Sequence, residues 1–325
     1  MNGSEFVLRS PLNHTAGDVF DWHMRPGALE RLIPPWGNIK IEERTGTPTD
    51  GGRVRFRLSR GPTDLTWELR HTSYEEGRRF SEEQTEGPFT RWVHTHRFDP
   101  VGEGKCTIED HVNWELPLGM AGKFLGGSTV EHELERLFTF RHHRIENELA
   151  RIDRYGGPKS LRIGVTGSSG LIGRALCHTL TTDGHEVVRI VRKRGLGSDV
   201  FWDPIEETID TDGLEGLDAV VHLAGESLLG FRWTDDKKKK ICESRIQGTE
   251  FLAQTLGGLR CPPRVLVSAS AVGFYGDRGT EILTERSKPG NGFLADLCQA
   301  WEAASRPASR MGIRVVNLRT GLVLT

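Results

Sequence analysis

Very little in this sequence points away from an aqueous compartment. Cysteine is scarce, with five in 325 residues: Cys106, Cys177, Cys242, Cys261 and Cys298. They are odd in number, far apart and form no CxxC pair. That argues against a disulfide framework or a cysteine zinc site and suits reduced thiols in a cytosol. No apolar run approaches the roughly 18 residues a membrane span needs. The N-terminal MNGSEFVLRSP lacks the apolar core of a signal peptide. Charge excess is missing as well: 43 Lys and Arg against 45 Asp and Glu leave a net −2, which gives no hint of a polyanionic partner. The basic run Lys237 to Lys240 sits among Asp235, Asp236 and Glu243 and reads as a solvated helix face, so no nucleic-acid partner is expected. Tyrosine is rarer still, with three in the chain and only Tyr275 in its second half.

What is present divides into two grammars. The length is comfortable for two domains. Arg53 to Leu58 alternates strictly, placing Val54, Phe56 and Leu58 on one side. Leu65 to Leu69, Trp92 to Phe98 and Cys106 to Leu116 repeat the pattern. Gly51-Gly52, Glu76-Gly77, Gly87-Pro88 and Gly102 to Gly104 punctuate it. The expectation is a meandering antiparallel sheet. Helices bracket it: one over Ala16 to Leu32, kinked or split at Pro26-Gly27, and a long amphipathic one from about Thr129 to Arg151. Gly156-Gly157-Pro158 stops that helix and marks the boundary between domains at 1–155 and 160–325.

From Leu161 short apolar strands alternate with helical stretches: Leu161 to Thr166, Val187 to Val191, Ala219 to Leu223, Val265 to Ser268 and Val315 to Leu318. This predicts a parallel sheet with crossover helices. Gly167-Ser168-Ser169-Gly170-Leu171-Ile172-Gly173 follows the first strand and opens a helix over Leu171 to Thr181. Gly167 allows the turn, Gly170 lets backbone approach a pyrophosphate, and Gly173 lets helix pack on sheet. The first helical N–H groups then face phosphates. A Rossmann dinucleotide site follows. At the end of the second strand, where NAD-binding domains offer Asp or Glu to the ribose, this chain has Arg192 and Lys193. A guanidinium there suits the 2′-phosphate of NADP(H). Trp202 is read as structural, with stacking near an adenine as the alternative.

Thr166 to Gly173, His222 to Glu226 and Ser268 to Gly276 resemble the extended short-chain dehydrogenase/reductases. Leu223-Ala224-Gly225-Glu226, Ser244-Arg245, Phe274-Tyr275-Gly276, Gly292-Phe293-Leu294 and Trp301-Glu302 resemble, more narrowly, their nucleoside-diphosphate-sugar-epimerase-like subfamily, whose bacterial members have been labelled cell-division inhibitors. In the first half, Arg25 to Ala28, Arg31 to Trp36, Glu86 to Phe89 and Glu115 to Gly119 resemble START-like (SRPBCC) helix-grip domains. That resemblance implies a sheet curled around a long C-terminal helix, with a cavity for a hydrophobic ligand. The fold expected is therefore an α+β helix-grip domain followed by an α/β Rossmann domain. The resemblance places Leu223, Ala224 and Gly225 along the cofactor, and Arg245 either beside it or as a surface charge. Relatives continue past Arg319 to Leu324 into a large substrate-binding portion. The chain is thus expected to be C-terminally truncated, with that portion missing.

The resemblance also implies a Ser, Tyr and Lys that pass a proton at a carbonyl or alcohol. Ser270 matches the hydroxyl. Phe293 or Leu294 falls at the Tyr position and Leu297 or Cys298 at the Lys position, and none can do that work in the usual way. Tyr275 is a substitute acid or a packing residue, and Asp296 is another candidate. His94 and His96 share a strand face, with His71 as a neighbour, but no third ligand at a diagnostic spacing supports zinc. They read as polar lining or surface, with no metal expected. The function expected is an NADP(H)-binding oxidoreductase or epimerase-like protein acting on a small molecule. The alternatives are a non-catalytic NADP(H) sensor or a hydrophobic-ligand carrier. A cytoplasmic location is expected, and association into a homo-oligomer is left open.

Overall fold

The computed structural model describes residues 3–60, 63–117, 119–157, 159–193, 197, 199–228 and 234–323, with side chains described at all of these except 50, 60 and 119–127. Leu118, Pro158, Arg194 and Leu324 of the sequence motifs lie outside the described residues. The chain forms two compact units, Met1–Gly157 and Pro158–Thr325. Among the described residues no helix is long and apolar enough to cross a membrane.

Among the described residues, the first unit is a seven-stranded antiparallel sheet with three α-helices. Its elements are β1 (Ser4–Leu12), α1 (Ala16–Met24), α2 (Ala28–Leu32), β2 (Ile39–Thr45), β3 (Arg53–Arg60), β4 (Thr63–Glu75), β5 (Arg79–Glu86), β6 (Arg91–Pro100), β7 (Cys106–Glu115) and α3 (Gly119–Tyr155). The order β1-β7-β6-β5-β4-β3-β2 is a meander whose first strand closes onto its last. Thr15 caps α1 by accepting the Asp18 N–H at 3.1 Å. The expected break falls at Pro26-Gly27, where Gly27 takes φ 93°. Helix α3 begins ten residues before the expected Thr129, because Gly119, Gly122, Gly126 and Gly127 hide its periodicity. Leu134 and Phe138 of α3 pack on Val54, Trp92 and Trp114, while Ile145 and Leu149 pack on Phe20, Phe98 and Ile108. Strands β1, β2 and β5 are additions to the sequence reading. β5 is nearly all polar, with Phe80 its only buried apolar residue.

The second unit comprises β8 (Arg162–Thr166), α4 (Leu171–Thr182), β9 (Glu186–Val191), β10 (Val200–Asp203), β11 (Thr208–Ile209), β12 (Ala219–His222), α5 (Asp235–Gly257), β13 (Val265–Ala271), α6 (Phe293–Ala304), α7 (Arg306–Arg310) and β14 (Arg314–Thr320). The order β11-β10-β9-β8-β12-β13-β14 is parallel but for the β10–β11 hairpin. It is a doubly wound Rossmann-type sheet, and its order reverses between β8 and β12, where such sheets take ligands. Strands β10 and β11 were not legible in the sequence. Trp202 on β10 is 3% exposed and belongs to the apolar core with Val188, Leu252 and Leu266.

Phe98 is fully buried, with its ring edge-on to Phe20 at 5.5 Å between centroids. Phe98→Ala is expected to destabilise the first unit by about 3–5 kcal/mol, measured by urea unfolding.

Candidate functional site

At the reversal point, Thr166 and His222 are register partners at the ends of β8 and β12. Thr166 Oγ1 accepts the N–H groups of Leu223 at 3.0 Å and Ala224 at 3.2 Å. Its own proton is then directed to His222 Nδ1, 2.8 Å away. That leaves the imidazole proton on Nε2, which donates to Thr249 Oγ1 at 3.1 Å. The indole N–H of Trp301 on α6 donates to the same oxygen at 2.9 Å. Burial pushes the His222 pKa down to about 4, so the ring is neutral.

The glycine loop is fitted to this frame. Gly167 has φ 66°, and a Cβ there would sit 2.8 Å from the Leu223 carbonyl. A Cβ on Gly173 would collide with the Gly167 carbonyl, so helix and loop meet backbone to backbone. Gly170 has φ −73° and caps α4, and an added Cβ would meet only the Gly167 oxygen, at 3.2 Å. Ser168 is buried, while Ser169, Gly170, Leu171 and Ile172 are exposed. The open N-terminus of α4 thus offers unpaired N–H groups and a positive dipole end to an anion. Arg192 and Lys193 follow β9 and are exposed.

The Leu223–Glu226 turn is held from α5. Glu226 N–H donates to Ser244 Oγ at 3.0 Å, and Arg245 Nη1 donates to the Glu226 carbonyl at 2.9 Å. This explains why Ser244-Arg245 accompanies the turn. Arg245 is 7% exposed, under Gly225 and 5.0 Å from the Trp301 ring centroid. The surface-charge reading of Arg245 is therefore corrected: it is a buried clamp on the turn. Glu226 lies on the rim. The Lys237 ammonium, 2.6 Å away, holds its carboxylate below the usual range, with Lys240 and Arg192 adding to the effect. Lys238 and Lys239 pair with Asp235 and Glu243 along the helix.

Ser270 and Arg319 are register partners on β13 and β14. Ser270 Oγ donates to Glu302 Oε1 at 2.7 Å. Arg319 grips both Glu302 oxygens, at 2.8 and 2.9 Å, and donates to Tyr275 Oη at 3.0 Å. Burial alone would raise the Glu302 pKa. The hydrogen bonds from Arg319 and Ser270 outweigh it and keep the carboxylate ionised. Ser270 and Tyr275 thus meet through Arg319 and Glu302, neither of which the sequence reading assigned. Beside them, a Cβ on Gly273 would touch Leu294 Cβ at 3.3 Å and Cys298 Sγ at 3.8 Å. Of the paired alternatives on α6, Leu294 and Cys298 are the residues next to this segment. Burial raises the Cys298 thiol pKa.

The first unit holds a cavity of about 310 Å³, walled by Leu29, Ile33, Phe56, Trp67 and Trp92. His23, His71, Glu82, His94, His96 and Arg141 are polar members of its lining. Behind them Asp110, 2% exposed, gathers three imidazoles: His94 Nε2 at 2.7 Å, His142 Nε2 at 2.6 Å and His96 Nδ1 at 2.8 Å. The His96 contact is off the line of a hydrogen bond. His94 Nδ1 lies 3.1 Å from Glu82 Oε1. Burial opposes each charge. The bonds to Asp110 and Glu82 nonetheless raise the His94 pKa, and the partners hold Glu82 at about 2. His96 is pushed down to about 4 by burial and then by His94, which together outweigh the opposing pull of Asp110 and Glu82. The surface reading of His94 and His96 is corrected, since both point into the core. The third donor missing from the sequence is Glu82, the cross-strand partner of His94.

Two outcomes follow for the second unit. Gly170→Ala is expected to keep wild-type thermal stability yet weaken dinucleotide binding, while Gly173→Ala loses both, by thermal unfolding and calorimetric titration. His222 stays neutral when folded but protonates near 6.5 when unfolded, so its contribution to stability falls as pH drops from 6.5 towards 4. The stability advantage of wild type over His222→Gln should shrink by on the order of 2 kcal/mol between pH 7.5 and 5 in urea unfolding.

Comparison with known proteins adds the following. Residues 163–324 match the NAD dependent epimerase/dehydratase family, and residues 53–149 match a domain of unknown function, DUF8410. An epimerase family protein of Mycobacterium leprae is 40% identical over 163 residues, covering 50% of this chain and 52% of its own. The crystal structure of a nucleoside-diphosphate sugar epimerase from Corynebacterium glutamicum is 36% identical, with a TM-score of 0.83 over 98% of this chain and 66% of that one. The crystal structure of human epimerase family protein SDR39U1 with NADPH is 35% identical, with a TM-score of 0.46 over 50% of this chain and 55% of that one. The chain spans about half the length of the curated relatives it matches. Over residues 163–324, the glycine cradle and the doubly wound sheet belong to a member of the NAD dependent epimerase/dehydratase family.

Proposed function

We propose that the second unit binds NADP(H) in preference to NAD(H), and that the chain is part of an NADP(H)-dependent oxidoreductase or epimerase-like enzyme acting on a small molecule. The observation that carries the cofactor preference is the pairing of the glycine cradle with exposed Arg192 and Lys193 after β9, where a ribose-binding carboxylate would otherwise stand. The N–H groups of Leu171 and Ile172 at the open start of α4 would hold the pyrophosphate, since Gly170 N–H is already given to the Gly167 carbonyl at 3.0 Å, and Leu223 to Gly225 would flank the nicotinamide half. Arg192 forks onto the 2′-phosphate. When bound, the dinucleotide supplies or accepts hydride. This chain's residues bind it, orient it and hold a proton at Ser270 or Tyr275. The first unit is START-like, with its cavity taking a hydrophobic ligand. The wall of Phe56, Trp67 and Trp92 supports that reading.

One observation favours a second reading, a non-catalytic NADP(H)-responsive protein. Leu294 and Cys298 occupy the ground beside Gly273, and the Ser270 hydroxyl is already given to Glu302. The two readings part on turnover. NADPH oxidation with a carbonyl panel supports the enzyme. Cofactor binding without oxidation, together with a changed affinity for an apolar probe in the first unit, supports the sensor.

The cofactor preference has its own test. Calorimetry should give NADPH a lower Kd than NADH, and Arg192→Ala should weaken NADPH by about tenfold with little change for NADH. Equal affinities in the wild-type chain would overturn the preference.

A further inference from the structure

We propose that Glu82, His94 and His96 form a divalent transition-metal site, of the kind zinc takes, in the wall of the cavity in the first unit. One ligand atom from each of the three lies within 4.8 Å of the other two. Their spacing is set by the sheet. Glu82 and His94 face each other across β5 and β6, and His96 follows two residues on, opposite Phe80. Zinc bound tetrahedrally at about 2.0–2.1 Å from nitrogen and oxygen needs donors roughly 3.3 Å apart. Glu82 Oε1 and His94 Nδ1 already stand 3.1 Å apart.

The surroundings match what metal-ligating histidines require. Asp110 takes Nε2 of His94 at 2.7 Å, which fixes the ring and turns Nδ1 towards Glu82. His142 holds the other oxygen of Asp110 at 2.6 Å and is itself held by Ser10 at 2.7 Å. The two donors are therefore backed by an ordered outer layer. Nδ1 of His71 is buried without a hydrogen-bond partner, and His71 lines the same cavity as His94 and His96. Such an orphan nitrogen is costly in an apolar surrounding and calls for a partner. The carboxylates of Glu82 and Asp110 would face a divalent ion together with the Arg141 guanidinium, which lines the same cavity, and the proton shared by His94 and Glu82 leaves to solvent when the metal takes its place. Imidazole donors select zinc, cobalt or nickel over calcium and magnesium. All three residues line the cavity, so a ligand held there would lie within reach of the metal.

The test uses the full chain, stripped with chelator and titrated with ZnCl2 by calorimetry and with CoCl2 by visible absorption. One equivalent of either metal is expected. The cobalt spectrum should show ligand-field bands without sulfur charge transfer, since the site contains no cysteine. His96→Gln and Glu82→Gln should each abolish stoichiometric binding, and Asp110→Asn should weaken it by about 10–100-fold. Near-UV circular dichroism reports whether each variant folds. If a variant does not fold, a rise in the wild-type melting temperature on adding zinc, absent with magnesium, carries the test. No stoichiometric uptake by wild type would overturn the site. So would undiminished binding by folded His96→Gln and Glu82→Gln, which would place the metal at surface cysteine or histidine instead.

Discussion

The second unit depends on how closely its backbone passes between Gly167 and the Leu223–Ala224 segment. No side chain fits there, and Gly173 brings α4 equally close from the other side. The hydroxyl of Thr166 ties the two strand ends by accepting two backbone N–H groups and passing its own proton to His222. What this edge offers to an anion follows from that closeness. The helix N-terminus is open, the loop is rigid, and the turn that would flank the dinucleotide is clamped by Ser244 and Arg245 from below.

The first unit is organised around an opposite device. Its core carries a buried polar cluster where the two apolar clusters served by α3 meet. There His96 stacks on Phe80 and His94 stands edge-on to Phe138. Asp110 compensates the burial of these rings, and Glu82 completes the set. Removing one member would leave the others desolvated and unpaired, which is why such clusters are either fully satisfied or strongly destabilising.

Legibility in the sequence followed how local each signal is. The glycine loop was legible because its three glycines, strand and helix are contiguous. β3, β6 and β7 were legible because their alternation is clean. β5 was hidden because its inward positions include Glu82, and β10 because it is four residues long. The burial of Arg245 was masked by the lysines around it on α5. The links from Ser270 through Glu302 to Arg319 and Tyr275 are set by strand register and by the packing of α6, which no spacing along the chain reveals. His94 and His96 were noticed as a pair, yet the partners that define their chemistry stand on β5, β7 and α3. Only pairing brings those elements together.

The reach of the Asp110 cluster along the chain has a kinetic side. Ser10 and His142 are 132 residues apart and meet in one hydrogen bond, and β1 completes the sheet by pairing with β7. The cluster therefore cannot close until nearly the whole first unit has emerged from the ribosome. Until α3 docks, Asp110 and its imidazoles remain in water, where their charges cost nothing. Contacts of such long separation form late and slowly. The same network therefore joins the first strand, the last strand and the closing helix of this unit in one set of contacts.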